Sequence, residues 1–181
     1  MRLAFLAAAL LTLLSFAPIA GAQVAHWDGD GKDSAGIYSF GFWFLDYNGD
    51  GAFDTNTGDK LYPFGWNDPL VQPQVGDWNG DGKTDVGVYA AGTWFADSDG
   101  DTLFTGADKV MSLGWNDPSL KPVVGDWNGN GRETPGVVNG GVWYLEKNGD
   151  WFFDGNDSVV YWGNDWPSEP QNLRRFLPGR W

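Results

Sequence analysis

Between Gly76 and Tyr89 the chain reads GDWNGDGKTDVGVY, which sets Asp77, Asn79 and Asp81 on alternate residues, follows them with Gly82 and adds Asp85 four residues after Asp81. Oxygen side chains at that spacing suit a hard cation. Calcium takes six to eight oxygens at about 2.3–2.6 Å, and a tight loop supplies them from alternate residues because the intervening side chains point away. Glycine at the sixth position permits the sharp turn, and the seventh residue offers its backbone carbonyl. Asp77, Asn79, Asp81, the Lys83 carbonyl and Asp85 therefore occupy loop positions one, three, five, seven and nine.

The phrase returns. Upstream, HWDGDGKDSAGIY places His26, Asp28, Asp30, the Lys32 carbonyl and Ser34 at the same positions, and downstream GDWNGNGRETPGVV places Asp126, Asn128, Asn130, the Arg132 carbonyl and Thr134 there. A second series interleaves with the first. Its members are Asp46, Asn48, Asp50, the Ala52 carbonyl and Asp54; Asp97, Asp99, Asp101, the Leu103 carbonyl and Thr105; and Glu146, Asn148, Asp150, the Phe152 carbonyl and Asp154. Asp108 and Asp157 fall at position twelve of their loops, where a bidentate carboxylate closes an EF-hand loop, and Asp59 matches them once two inserted residues are removed. Asp, Asn and Gly also make turns for reasons of their own. Six loops with acids and amides at matching positions favour the cation, because turn chemistry does not require oxygens on alternate residues. His26, Ser34, Asn130 and Thr134 weaken their loops, so the tightest sites are expected at Asp46 and Asp77.

What positions these loops is a repeat. Asp77 to Asp126, Trp94 to Trp143 and Asp108 to Asp157 are each 49 residues, and His26 to Asp77 is 51. Three tandem units are expected near 26–74, 75–123 and 124–167, inside one domain of residues 23–167. Each unit reads as strands: DVGVYAAGTWFAD is two short β-rich runs split by a glycine turn, and DKVMSLGW and PVVGDW supply two more. No apolar stripe at helical spacing with a cap runs beyond two turns. The fold class is all-β, with tandem four-stranded β-propeller-type blades of about 49 residues. Strand-like flanks also disfavour an EF-hand.

The runs VVGDWNGDGKTDVGVYAAGTWFADSDGD and VVGDWNGNGRETPGVVNGGVWYLE resemble the FG-GAP or VCBS-type repeats of secreted bacterial and archaeal proteins, which are related to the integrin alpha propeller. The resemblance covers nearly all of 26–167. It implies calcium in the Asp-rich loops, propeller blades, and a role in binding or adhesion. Three copies are fewer than that family's usual ring.

Composition sets the surroundings. Arg2, an apolar run from Leu3 to Ala17, Pro18 and the small residues Ala20-Gly21-Ala22 have the layout of a secretory signal peptide cleaved after Ala22, with no Cys for a lipid anchor. The mature chain then carries 10 basic against 24 acidic residues, a surface that repels nucleic acid and anionic lipid and attracts cations. An exported chain with no Cys must draw stability from its core, bound ions or association. Catalysis has little support: His26 is the single histidine, there is no Cys nucleophile and no phosphate loop or nucleophile elbow, and acids that recur with the fold do not mark a unique active site. A non-enzymatic, extracellular calcium-binding module is expected, acting in binding, adhesion or assembly. A lectin of the same fold is the alternative, and a calcium-dependent hydrolase stands behind both.

Two further features bear on partners. GWNDP recurs at Gly65 and Gly114, so Trp66 and Trp115 can stack on a sugar face while Asn67, Asp68, Asn116 and Asp117 take its hydroxyls; packing between blades competes for the same tryptophans. Propellers close with about four to eight blades, so three imply association with further copies into a ring or filament. The tail 168–181 carries Arg174, Arg175 and Arg180 with Phe176, Leu177 and Trp181 and is expected to dock on a neighbouring copy.

Overall fold

A computed structural model describes residues 21–117 and 119–163; residues 1–20 of the expected signal peptide and the 168–181 tail lie outside them. The described residues form twelve strands and no helix. β1 (Gly21–Ala25), β2 (Ser34–Ser39), β3 (Phe42–Leu45) and β4 (Lys60–Tyr62) make one antiparallel meander. β5 (Gln72–Gly76), β6 (Asp85–Ala90), β7 (Thr93–Ala96) and β8 (Lys109–Ser112) make a second, and β9 (Lys121–Gly125), β10 (Thr134–Asn139), β11 (Val142–Leu145) and β12 (Ser158–Tyr161) a third.

Each sheet opens with the strand that leads into its first Asp-rich loop, a few residues ahead of the repeat phase read from the sequence. β1 pairs Gly21 with Tyr38 and Ala22 with Ile37, so cleavage after Ala22 would trim this strand to its last three residues.

The middle hairpins show why the chain turns where it does. Ser39 pairs Phe42, Ala90 pairs Thr93 and Asn139 pairs Val142, which leaves two residues in each turn. Both have positive φ in every case: Phe40 53° and Gly41 86°, Ala91 49° and Gly92 88°, Gly140 54° and Gly141 85°. That is the primed turn whose twist matches the strands. At Gly41 and Gly92 glycine is needed twice over, because a Cβ would also lie 2.9 Å from the Trp66 backbone or 3.0 Å from that of Trp115.

The sheets stack face to face, with β1 beside β5 and β5 beside β9. Gln23 donates from Nε2 to the Pro73 carbonyl across the first junction at 3.2 Å. One core lies between the first and second sheets, where Trp27, Tyr38, Trp43, Leu45 and Phe64 meet Val86, Val88 and Ala90. The other lies between the second and third, where Trp78, Tyr89, Trp94, Met111 and Leu113 meet Val137 and Trp151. An aromatic ring buries about 150–250 Å², so at about 25 cal/mol per Å² each of these tryptophans contributes roughly 4–6 kcal/mol of burial. The loops carrying the acids hang from this aromatic frame. Trp27, Trp78 and Trp127, at position two of the first-series loops, donate their indole N–H at 3.1 Å to the carbonyls of Ser34, Val86 and Thr134.

Candidate metal centres

All six loops share one local geometry. The position-five side chain accepts the position-seven N–H at 2.8 Å in every loop: Lys32 to Asp30, Lys83 to Asp81, Arg132 to Asn130, Ala52 to Asp50, Leu103 to Asp101 and Phe152 to Asp150. The position-three side chains of Asp28, Asn79, Asn128, Asn48, Asp99 and Asn148 accept the position-five N–H at 2.8–3.2 Å. Consecutive Asx turns of this kind explain why short oxygen side chains recur two apart.

Position one collects the N–H groups of the loop floor. Asp77 accepts from Gly80, Asp81 and Gly82, and Asp126 from Gly129, Asn130 and Gly131. Those donors, Gly131 first, hold Asp126 below the usual carboxylate range. His26 instead faces Asp33 at 3.2 Å, and Asp30 pairs with the Lys32 ammonium at 3.0 Å in solvent. Position six is left-handed in every loop. In the second series it holds Gly51 at φ 79°, Thr102 at 75° and Trp151 at 64°, so two loops keep the fold of the first although the residue there is not glycine.

Position twelve closes the second-series loops. Asp59, buried to 4 % exposure, accepts from Tyr47 at 2.9 Å and Asp54 at 2.7 Å. Asp108 accepts from Ser98 and Thr105, and Asp157 from Lys147 and Asp154. This closure gathers carboxylates. Asp46, Asp50 and Asp59 bring one oxygen each within 4.8 Å of one another, and so do Asp97, Asp99 and Asp108. The sequence ranked the Asp46 and Asp77 loops first; the structure gathers three carboxylates in the Asp46 loop and in the Asp97 loop. Position nine of the second series points elsewhere: Asp54 and Asp154 accept the N–H of Asn56 and Asn156, and Thr105 that of Ala107, each capping the turn that follows.

The two series meet within each sheet at position nine of the first. In the outer sheets a hydroxyl stands there: Ser34 donates to the Asp46 carbonyl and Thr134 to the Glu146 carbonyl, both at 2.5 Å. The middle sheet has Asp85 instead. Its carboxylate accepts from Asn79 Nδ2 at 3.1 Å and lines a cavity with Tyr47, Tyr62, Asp81, Asp97 and Asp99. Burial, then the charges of Asp97, Asp81 and Asp77, push it up to about 8. Burial pushes Asp97 up to about 7 despite N–H donors from Thr102 and Gly100. Asp108 and Glu146 are raised by burial as well, and Tyr62 is pushed up to about 12 by burial and neighbouring acids.

The donor set fits a hard divalent cation: carboxylate and amide oxygens, with buried carboxylates that have no basic partner among the described residues. Glu146 gives the sharpest case. Fully buried, it takes the Gly149, Asp150 and Trp151 N–H groups on Oε1, while Oε2 has no partner among the described residues. Its longer side chain and Trp151 at position six set this loop apart, and its acids are not among those gathered within 4.8 Å.

The GWNDP tryptophans pack between sheets. Trp66 meets Phe95 edge-on at 5.2 Å and Trp115 meets Tyr144 at 6.0 Å, each ring about two-fifths exposed. Asp68 and Asp117 cap the turn by accepting from Leu70 and Ser119, while Asn67 and Asn116 lie exposed. Spacing placed Asp85 at position nine of its loop; what spacing did not show is that this carboxylate shares a cavity with Asp97 and Asp99 of the other series. The only sequence signal of that sharing is an acid where the other two copies carry Ser and Thr. No family model, curated protein or solved structure matches the chain.

Proposed function

We propose that this chain is an exported calcium-binding protein of propeller-type blades related to the FG-GAP and VCBS repeats, working without catalysis as a binding or adhesion module. The observation that carries the reading is the equivalent gathering of Asp46, Asp50 and Asp59 in the first sheet and of Asp97, Asp99 and Asp108 in the second. Asn48 at position three brings the first set to four oxygen side chains, and Asp101 at position five is the fourth of the second loop, where Asp99 is itself the position-three residue; backbone oxygen and water complete either shell. In the second set calcium supplies counter-charge to Asp97 and Asp108, which burial otherwise drives towards protonation. The blade edges and loop ends then present a rigid, acidic surface to a partner.

Calorimetric titration of the metal-stripped protein with calcium and with magnesium tests this. Saturable calcium binding that magnesium does not match is expected, with loss of one site on Asp46→Ala and of another on Asp97→Ala. No saturable heat with calcium, or the same sites in both variants, would refute it. A second reading, a glycan-binding lectin, draws on the exposed parts of Trp66 and Trp115 beside Asn67 and Asn116. Glycan-array binding that disappears in Trp66→Ala/Trp115→Ala would favour it.

A further inference from the structure

We propose that the free faces of the first and third sheets are two halves of one interface, and that two copies of this chain join through them twice to close a ring of six sheets. The inference rests on the sheet junctions and needs no metal.

Each junction uses a tryptophan face on the earlier sheet and a valine face on the later one. The tryptophan face is Trp27, Tyr38, Trp43 and Leu45 in the first sheet and Trp78, Tyr89, Trp94 and Met111 in the second, all at 2 % exposure or less except Trp78 at 3 %. Forty-nine residues on from the second-sheet set stand Trp127, Val138, Trp143 and Val160 in the third sheet, while the counterparts of Leu45 are Ala96 and Leu145. Trp127 and Trp143 are partly exposed there, and Val160, the counterpart of Met111, is 38 % exposed. The valine face shows the converse: Val88 and Val137 are at 0 %, whereas their first-sheet counterpart Ile37 is at 38 % and Val24 at 67 %.

Polar contacts repeat in the same way. The His26 carbonyl accepts from Thr84 N–H at 3.0 Å across the first junction, and the Asp77 carbonyl from Glu133 N–H at 2.9 Å across the second. Their next counterparts are the Asp126 carbonyl on the third sheet and the Asp33 N–H on the first. A Cβ on Gly29 would meet the Lys83 side chain at 3.1 Å and one on Gly80 the Arg132 side chain at 2.8 Å, while one on Gly129 would meet nothing within 4 Å. Lys32, the counterpart of Lys83 and Arg132, lies exposed on the first sheet. Seated on Gly129 of a second copy, it repeats a contact made twice within the chain.

A second copy is the occupant these observations select, because it brings both complements at the spacing the chain already uses. A head-to-tail contact closes a ring when its rotation permits. Three sheets from each of two chains make six, inside the range of about four to eight that propellers adopt.

Sedimentation velocity of the whole chain, in calcium and in chelator, should give a species of twice the chain mass in both. Ile37→Asp spoils only the valine face and Val160→Asp only the tryptophan face, and both positions are exposed in the single chain, so each variant should fold and sediment at half the wild-type mass. Mixed in equal amounts, the two should regain the doubled mass, since one intact pair of faces remains. A wild-type monomer at the highest soluble concentration would overturn the proposal. So would a doubled mass in Ile37→Asp alone, which means like faces pair, or a ladder of masses above two, which means no closure. A monomer that doubles only when residues 164–181 are removed would assign the faces to the chain's own tail.

Discussion

Replacing Asp85 by Thr should stabilise the metal-free protein, and more so as the pH rises. The outer sheets already hold hydroxyls at this place, where Ser34 and Thr134 donate to the carbonyls of Asp46 and Glu146. In the middle sheet the residue at this place is a carboxylate, in one cavity with Asp97, that burial pushes up to about 8 from an ordinary 3.8. The folded chain therefore holds a proton that the unfolded chain releases. Stability from this group is complete below about pH 4 and is lost as the pH rises through 8. At pH 7.5 the loss is about 5 kcal/mol at 1.36 kcal/mol per decade, and water reaching the half-buried carboxylate reduces it to roughly 2–3 kcal/mol. For a domain of this size that corresponds to a gain of about 5–10 °C in Tm for Asp85→Thr. Thermal melts followed by tryptophan fluorescence in chelator, at pH 5 and pH 7.5, measure it. A gain several times larger at the higher pH is expected. No gain at pH 7.5, or an equal gain at both, would show that Asp85 carries no such burden and would sink the assignment of the junction as an uncompensated acid.

Calcium should stabilise the wild-type protein by about 2.7 kcal/mol per independent site at a hundredfold excess over its Kd and so raise its Tm clearly above the value in chelator; coincident melts would remove the metal from the fold. The pH dependence should also flatten. In chelator, Asp85 and Asp97, with carboxyls near 8 and 7, make stability fall from pH 5 to 8.5, whereas calcium holds the same acids ionised in the folded chain, as they already are in the unfolded one, and removes the fall. Asp59→Ala should cost about 2–4 kcal/mol even in chelator, because the Tyr47 and Asp54 N–H groups lose their acceptor in a buried place; denaturant titration reads it, and a loss seen only in calcium would contradict the closure role. Thr102→Gly, at φ 75°, should gain about 1 kcal/mol by relieving a left-handed β-branched residue, while the same change at Ser98 should not.

Much of the frame was legible because each strand and turn has a local cause. The 49-residue step, the two-residue turns at Ala91-Gly92 and Gly140-Gly141, and the β-rich runs on either side give twelve strands in three meanders. Where each sheet begins was less legible: PVVGDW reads equally as the end of one unit or the start of the next, and only pairing of β5 with β6 and of β9 with β10 decides it. The loops were legible as a spacing and not as an allegiance. An oxygen two residues from the next serves a cation or the N–H of its own turn, and both uses select Asp and Asn. Hence Asp54 and Asp154, expected to face inward at position nine, cap the turn after the loop, whereas Asp108, expected at position twelve, lies with Asp97 and Asp99.

That shared selection also identifies the acids that discriminate between the two uses. A carboxylate fully supplied with N–H donors needs no ion: Asp126, in solvent with donors from Gly129, Asn130 and Gly131, is held low without one. The Asp and Asn pattern at that loop is satisfied by backbone alone. Carboxylate oxygens in excess of their donors are different, because burial then costs several kcal/mol unless a proton or a cation is bound. Asp85 with one amide donor, Glu146 with an orphaned Oε2, and Asp97 crowded by Asp99 and Asp108 are such cases. All three lie in the second or third sheet, next to a junction core that keeps water out. The tryptophans there thus do two things at once: they stack the sheets, and, as Trp27 at the Asp85 cavity and Trp151 at position six of the Glu146 loop, they help bury carboxylates that a proton or a metal ion would neutralise.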